Sequence, residues 1–419
     1  MIKTNAQLVA FVKSLSPFIY LPNLGNYGDL LIHESVRQWF RKIGVDYRLY
    51  NPDDLPDKFH LVFCGAGFLL PQWTGNFDLG ILTDPRIEKC VFLPFSSIGL
   101  DDFYRQLDQR FHLFCRDQGT YNRMTKLTNG ATCYLHDDMA VSLNLQQLDE
   151  DCVNLSDFDL DNIHSHEGKL AYQKLEDNFG KTLIDKVRLS SSTANINGCT
   201  KIVAFLLRKD AEKDTDLNTQ YAFDISAEWI TSGYDMPFHA NILKCFADAL
   251  KSVDIVVTDR LHVAIMAWHS GREVYMLDNS YKKLSGVYEL SLKQDEKVHL
   301  LEDGSLTPDL EAAWARFNLE KEVESCHRIL KNQEQQLEAI AKALSTVQEH
   351  ITLLQDQLKN SNEQLRMLRL SHSCRKMKKR YLYCRIMSKL CFGKNKHKYA
   401  AEKRRLKDLI SEAKKAEYM

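Results

Sequence analysis

The runs Leu-Val-Phe-Cys, ending at residue 64, and Cys-Val-Phe-Leu-Pro-Phe, beginning at residue 90, are apolar at every position. A strand with one wet face alternates polar and apolar side chains, so an unbroken run means that both faces are covered. Strands of that kind belong to parallel sheets with helices on either side. The surrounding pattern agrees. β-rich runs at 18–21, 46–50, 60–64, 89–94, 112–115 and 132–135 alternate with helical spacing, as in Ile32, Val36, Trp39, Phe40 and Ile43, with Gly44 placed as a stop. Alternating strands and helices predict an α/β fold with doubly wound parallel sheets.

The pattern pauses at 151–199, a stretch rich in Asp, Asn and Ser that reads as an insertion or linker with one helix near 170–179. It resumes with a strand at 201–207, a helix at 240–250, a strand at 254–257, a helix from Leu261 and a strand at 273–277. The expected organisation is therefore one Rossmann-like domain over 1–150 and a second over 200–300. Beyond residue 320 the spacing changes to alternating steps of three and four through Val323, Cys326, Leu330, Leu337, Ile340, Leu344, Val347, Ile351, Leu354, Leu358, Leu365 and Leu368, interrupted at Gln333 and Ser361. That seam predicts a coiled coil over 320–370 and self-association through it.

The formal net charge of −1 hides a division of the chain. Residues 375–407 hold 14 Lys or Arg against the single acid Glu402, so a tail at 371–419 is strongly basic and the remainder is acidic. Such a tail suits contact with an anionic membrane surface, and no nucleic acid is expected as a partner. The 11 cysteines include no C-x-x-C pair, which argues against a disulfide framework and a zinc cluster. No metal is expected. A cytoplasmic location fits the scattered cysteines and a polar N-terminus, with peripheral contact at the inner face of the plasma membrane.

Chemistry is expected where strands end, because ligands of open α/β sheets bind beyond the carboxyl ends of the strands. The first strand leads into Asn23-Leu-Gly25-Asn26-Tyr-Gly28-Asp29, which is neither a G-x-G-x-x-G nor a P-loop. Its glycines allow close backbone approach, and Asp29 sits where a helix cap belongs. Gly65-Ala-Gly67 follows the third strand, Arg116-Asp117 the fifth and Asp137-Asp138 the sixth. In the second half Arg208-Lys209-Asp210 ends a strand, and Thr258-Asp259-Arg260-Leu261-His262 joins a strand to a helix, with Thr258 and Asp259 as expected caps. A helix N-terminus already favours an anion, and a cation there is unfavourable unless an anion answers it. Arg260 offers a forked donor for carboxylate or phosphate, and His262 a group that titrates near neutrality.

Taken together these residues resemble the polysaccharide pyruvyl transferase family. The match is carried by Thr258–His262, by Leu277-Asp278-Asn279 with Tyr281-Lys282-Lys283, and by the Asn23–Asp29, Arg116–Tyr121, Asp138–Ala140 and Arg208–Asp210 segments in the family's order. The resemblance implies a GT-B-like pair of domains facing across a cleft, phosphoenolpyruvate as donor substrate, no cofactor, and a hexose of an exopolysaccharide or lipid-linked saccharide as acceptor. It implies that Arg208, Arg260 and His262 contact the donor. His262 would act as acid and Asp29 or Asp138 as base, and Leu261, Asn23, Gly25, Gly28, Gly65, Gly67, Arg116, Asn279 and Lys282 would line the substrate sites. Val263 stands where the family usually has Gly or Ala. A nucleotide-sugar glycosyltransferase of GT-B architecture and a non-catalytic scaffold are the alternative readings.

Overall fold

A computed structural model describes residues 6–417 apart from 24, 66–68, 70, 72–77, 159–162, 164–165, 197, 211–212, 214–216, 230–237, 279–281, 302–303, 368–372 and 391–392. After helix α1 (Ala6–Leu15), strands β1 (Phe18–Leu21), β2 (Tyr47–Leu49), β3 (Phe59–Phe63), β4 (Ile87–Phe95), β5 (Phe111–Cys115) and β6 (Thr132–Leu135) form a six-stranded sheet in the order β2-β1-β3-β4-β5-β6. Every pairing in it is parallel. The order reverses between β1 and β3, which opens a crevice beyond their carboxyl ends. Helix α2 (Tyr27–Ile43) leaves that crevice, with Asn26 and Asp29 forming a reciprocal capping box at its start and Gly44 closing its end. Short helices α3 (Asp101–Tyr104), α4 (Gln118–Leu127) and α5 (Leu145–Glu150) complete this half.

Residues 151–199 are more structured than their composition predicts. They carry two helices, α6 (His166–Glu176) and α7 (Phe179–Leu189), instead of one, and then β7 (Ser191–Ile196). Their polar surface conceals a narrow apolar stripe: Tyr172, Phe179, Leu183 and Val187 are buried in the main core. The second sheet has the order β11-β10-β9-β8-β7, built from β8 (Cys199–Leu206), β9 (Ile255–Thr258), β10 (Glu273–Leu277) and β11 (Val298–Leu301). It is parallel except for the antiparallel β7–β8 pair. Helices α8 (His239–Lys251), α9 (Leu261–His269) and α10 (Lys283–Val287) connect its strands.

The two sheets belong to one compact unit, residues 1–323. A single hydrophobic cluster runs through both, joining Leu31, Val36 and Phe40 of α2 to Phe246 and Leu250 of α8 and Val256 of β9. Tyr27 stacks on Phe246 with ring centroids 3.7 Å apart, so the two halves share a core across the α2–α8 contact. The start of α11 (Pro308–Met367) seals the second sheet, with Trp314 and Phe317 4.8 and 5.7 Å from Phe205.

Residues 324–419 form a second unit. It holds the remainder of α11 together with α12 (Ser373–Leu390) and α13 (Lys394–Glu417), which pack against each other. Along the predicted seam Leu337, Ile340 and Leu344 are more than half exposed, while Ile351 is buried within its own chain. Part of the seam is thus already covered.

Gly65 has a structural reason to be glycine. Its φ is +80°, and a Cβ there would collide with the backbone carbonyl of Leu93 on the neighbouring strand. Gly65→Ala is expected to destabilise the protein by about 1–3 kcal/mol or more, from left-handed strain plus the clash. Thermal unfolding checks this, and an unchanged melting temperature would contradict it.

Candidate functional site

The carboxyl end of β9 and the start of α2 meet at His262. A Cβ on Gly28 would overlap the Nδ1 of His262, so glycine is what lets the first turn of α2 lie against the imidazole. The other ring nitrogen, Nε2, lies 3.6 Å from Asp138 Oδ2 and 3.4 Å from Arg116 Nη1. Arg116 Nη1 donates to Asp138, and both side chains are buried, at 0% and 1% exposure. Asp138 also accepts from the backbone N–H of Ala140 at 2.8 Å. Behind Arg116 the chain of bonds continues: its Nε donates to Ser96 Oγ at 3.0 Å, and that hydroxyl donates to Asp117 Oδ2 at 2.6 Å. Asp117 caps α4 through the Thr120 N–H at 2.6 Å. Among the described residues, Arg116 Nη2 is buried with no hydrogen-bond partner.

Asp29 lies on the same rim. Its Oδ1 accepts from Asn23 Nδ2 at 2.6 Å and its Oδ2 from the Asn26 N–H at 3.1 Å. A Cβ on Gly25 would overlap Asp29 Oδ2, so Gly25 lets the loop fold over the carboxylate. The glycines expected to admit a ligand thus admit Asp29 and His262.

Burial separates the two candidate bases. It pushes Asp29 up to about 6, against the opposing pull of Lys283, Asn23 and Arg116. Asp138 feels the same burial, but Arg116 and His262 overcome it and hold the carboxyl well below the usual range. Burial also lowers His262, with Asp138 opposing and Arg116 and Lys283 adding to the effect. At neutral pH the resting cluster is therefore a neutral imidazole beside an ionised Asp138.

The second group of expected residues forms a separate knot. Arg260 donates through Nε to Asp224 Oδ1 at 2.9 Å, and through Nη2 to Asp210 Oδ2 at 2.7 Å and to Asp224 Oδ2. Arg208 pairs with Asp210 at 2.8 Å, and its backbone N–H donates to Asp259 Oδ1 at 2.8 Å. Asp259 Oδ2 is buried without a hydrogen bond, and burial pushes its carboxyl up to about 6. Of the two expected caps, Asp259 is turned to the Arg208 N–H, while Thr258 Oγ1 accepts from the Arg260 N–H at the helix start at 3.1 Å. Arg260 itself is the N-cap residue of α9 and makes no side-chain cap bond, while Thr258 Oγ1 donates to Leu206 O at 2.6 Å.

The structure thus brings Asn23, Gly25, Gly28, Asp29, Arg116, Asp138 and His262 together, and holds Arg208 and Arg260 in a carboxylate-answered pair. Leu261 and Val263 are buried in the core, so the β-branched residue beside His262 points away from the site. Lys282 is exposed, at φ +54°, and the lysine whose charge reaches Asp29 and His262 is Lys283. Gly67 and Asn279 lie outside the described residues. Sequence reasoning passed over Ser96 and Asp224, which sit in no recognisable motif.

The Arg116–Asp138 pair makes a stability prediction. Arg116→Met strands a buried carboxylate and is expected to cost about 3–5 kcal/mol, whereas the Arg116→Met/Asp138→Leu double variant should recover most of it. Urea denaturation measures both, and a single variant as stable as wild type would contradict the assignment.

Two comparisons relate the chain to known proteins, and a third finds none. A family model described as polysaccharide pyruvyl transferase matches residues 26–281. No curated protein matches. A crystal structure of a functionally uncharacterised protein from Klebsiella pneumoniae is similar in fold, with a TM-score of 0.52, 22% identity, and coverage of 72% of this chain and 99% of that one. The matched segment runs from the Asn26 cap of α2 through His262 to the edge of α10, and the chain belongs to the polysaccharide pyruvyl transferase family.

Proposed function

We propose that the His262–Asp138–Arg116 cluster with Asp29 is the centre of a ketal-forming transfer of pyruvyl from phosphoenolpyruvate to a glycan hexose, with release of phosphate. The observation that carries this reading is the meeting of His262, from the second sheet's rim, with Asp138, from the first, at 3.6 Å. The same meeting supports a GT-B-like opposition of two Rossmann-like halves, with acceptor groups on the first and donor groups on the second.

In this mechanism the donor's phosphate lies against His262 and offsets the burial that keeps the ring neutral, so the imidazolium becomes accessible. His262 then delivers a proton to the methylene carbon, which becomes the methyl group, and C2 becomes electrophilic. One sugar hydroxyl adds to C2 and loses its proton. A second hydroxyl displaces phosphate, also with loss of a proton, and the cyclic ketal is complete. Asp29 suits the base role better than Asp138. A carboxylate near 6 can accept a proton at neutral pH, while one held low by Arg116 orients His262 and stays charged. Arg208 and Arg260 take part by exchanging Asp210 and Asp224 for the donor's carboxylate, a swap of one anionic partner for another that needs no unpaired guanidinium. The chemistry requires no cofactor.

Self-association belongs to the same proposal, through the exposed Leu337, Ile340 and Leu344 of a second copy of α11.

Phosphate release from phosphoenolpyruvate with a panel of saccharide acceptors tests the function. His262→Ala is expected to lower it by about 10²–10⁴-fold, the usual worth of a positioned general acid, and release at the wild-type rate would remove His262 from that role.

The pH profile tests the base. Asp29 works ionised and its folded pKa is raised, so kcat/KM should rise with pH through about 6. Asp29→Asn should abolish that limb, and a limb that persists unchanged in the variant would assign it to another group.

A further inference from the structure

The C-terminal helices do more than carry charge. α12 and α13 fold back on each other after Gly393, whose φ of +64° makes the turn. Cys384, Tyr399 and Leu406 are buried between the helices. With this inner face satisfied, the hairpin still leaves Leu382, Tyr383, Ile386 and Leu409 exposed at 53%, 42%, 50% and 42%. Leu382, Tyr383 and Ile386 share one face of α12, Ile386 lying four positions from Leu382 and three from Tyr383. Exposed Arg385 and Lys389 border that face, and exposed Lys396, Lys398, Arg404, Arg405 and Lys407 stud α13. Across 373–417 there are 16 Lys or Arg against 4 acids.

An isolated polar hairpin has no reason to keep leucine and isoleucine outside when a cheaper residue would hold the helix. An apolar strip rimmed by cations fits a surface that is charged outside and greasy a few ångströms below. We infer that the α12–α13 hairpin docks on an anionic lipid surface, with Leu382 and Ile386 entering between the headgroups and the flanking Arg and Lys pairing with phosphates. Two other occupants fit less well. A second copy of the hairpin would bring two strongly positive faces together. A nucleic acid would match the charge but gains from aromatic stacking, and the exposed strip offers it one tyrosine among aliphatic side chains. Among the described residues no helix is long and apolar enough to cross a membrane, so the contact is peripheral. This inference stands apart from the pyruvyl-transfer reading and would survive its failure.

Flotation of the full-length protein with phosphatidylcholine vesicles, with and without phosphatidylglycerol, tests it. The protein is expected to float with the anionic vesicles and not with the neutral ones. Arg385→Glu/Lys389→Glu should weaken binding by roughly fivefold or more per reversed charge at low salt. Leu382→Glu/Ile386→Glu should abolish the part of the binding that survives high salt. Both variants should keep wild-type helical content by circular dichroism, since all four side chains are exposed. Failure to float with anionic vesicles would overturn the inference. So would equal flotation of the Leu382→Glu/Ile386→Glu variant and wild type at high salt, or binding of single-stranded RNA by a protein that ignores both vesicles.

Discussion

A buried ion pair organises the site. Arg116 and Asp138 are both shut off from water, and neighbouring groups engage their other donors and acceptors, with Arg116 Nη2 the exception. Ser96, whose own hydroxyl donates to Asp117, and the Ala140 N–H engage them on the first half of the molecule. His262 engages them from the second. The pair thus stands where His262 brings the second sheet's rim up to the first. Removing either charge would leave the other exposed to a medium that cannot solvate it.

The same pair explains why two carboxylates a short distance apart differ in character. Asp29 has amide and backbone N–H donors and a more distant lysine, and burial prevails. Asp138 has a guanidinium in direct contact, and burial loses. Environments that push neighbouring titratable groups apart are the arrangement acid–base chemistry needs. At the second rim the balance is reversed, with carboxylates already occupying Arg208 and Arg260. The guanidinium groups expected to meet an anion at the helix terminus are therefore answered at rest by Asp210 and Asp224.

Much of this was legible in the chain because strand burial and periodicity are local. The unbroken apolar runs marked β3 and β4, and the glycines and acids after β1 marked the rim. What sequence could not reveal depends on distant contacts. Asp224 answers Arg260 from a polar stretch 36 residues away with no motif around it. Lys282 and Lys283 are adjacent in sequence, yet Lys282 is exposed and it is the charge of Lys283 that reaches Asp29. The helices of 151–199 were hidden for a similar reason. Their core-facing stripe is narrow, and the polar residues between its members dominate the composition.

We propose that this cluster binds the pyruvyl donor. Thermal stabilisation by phosphoenolpyruvate, compared with UDP-sugars and repeated on His262→Ala, tests it most directly. Phosphoenolpyruvate is expected to raise the melting temperature of the wild type, UDP-sugars to leave it unchanged, and the shift to be lost in the variant. Stabilisation by UDP-sugars alone, or a phosphoenolpyruvate shift undiminished by His262→Ala, would contradict it.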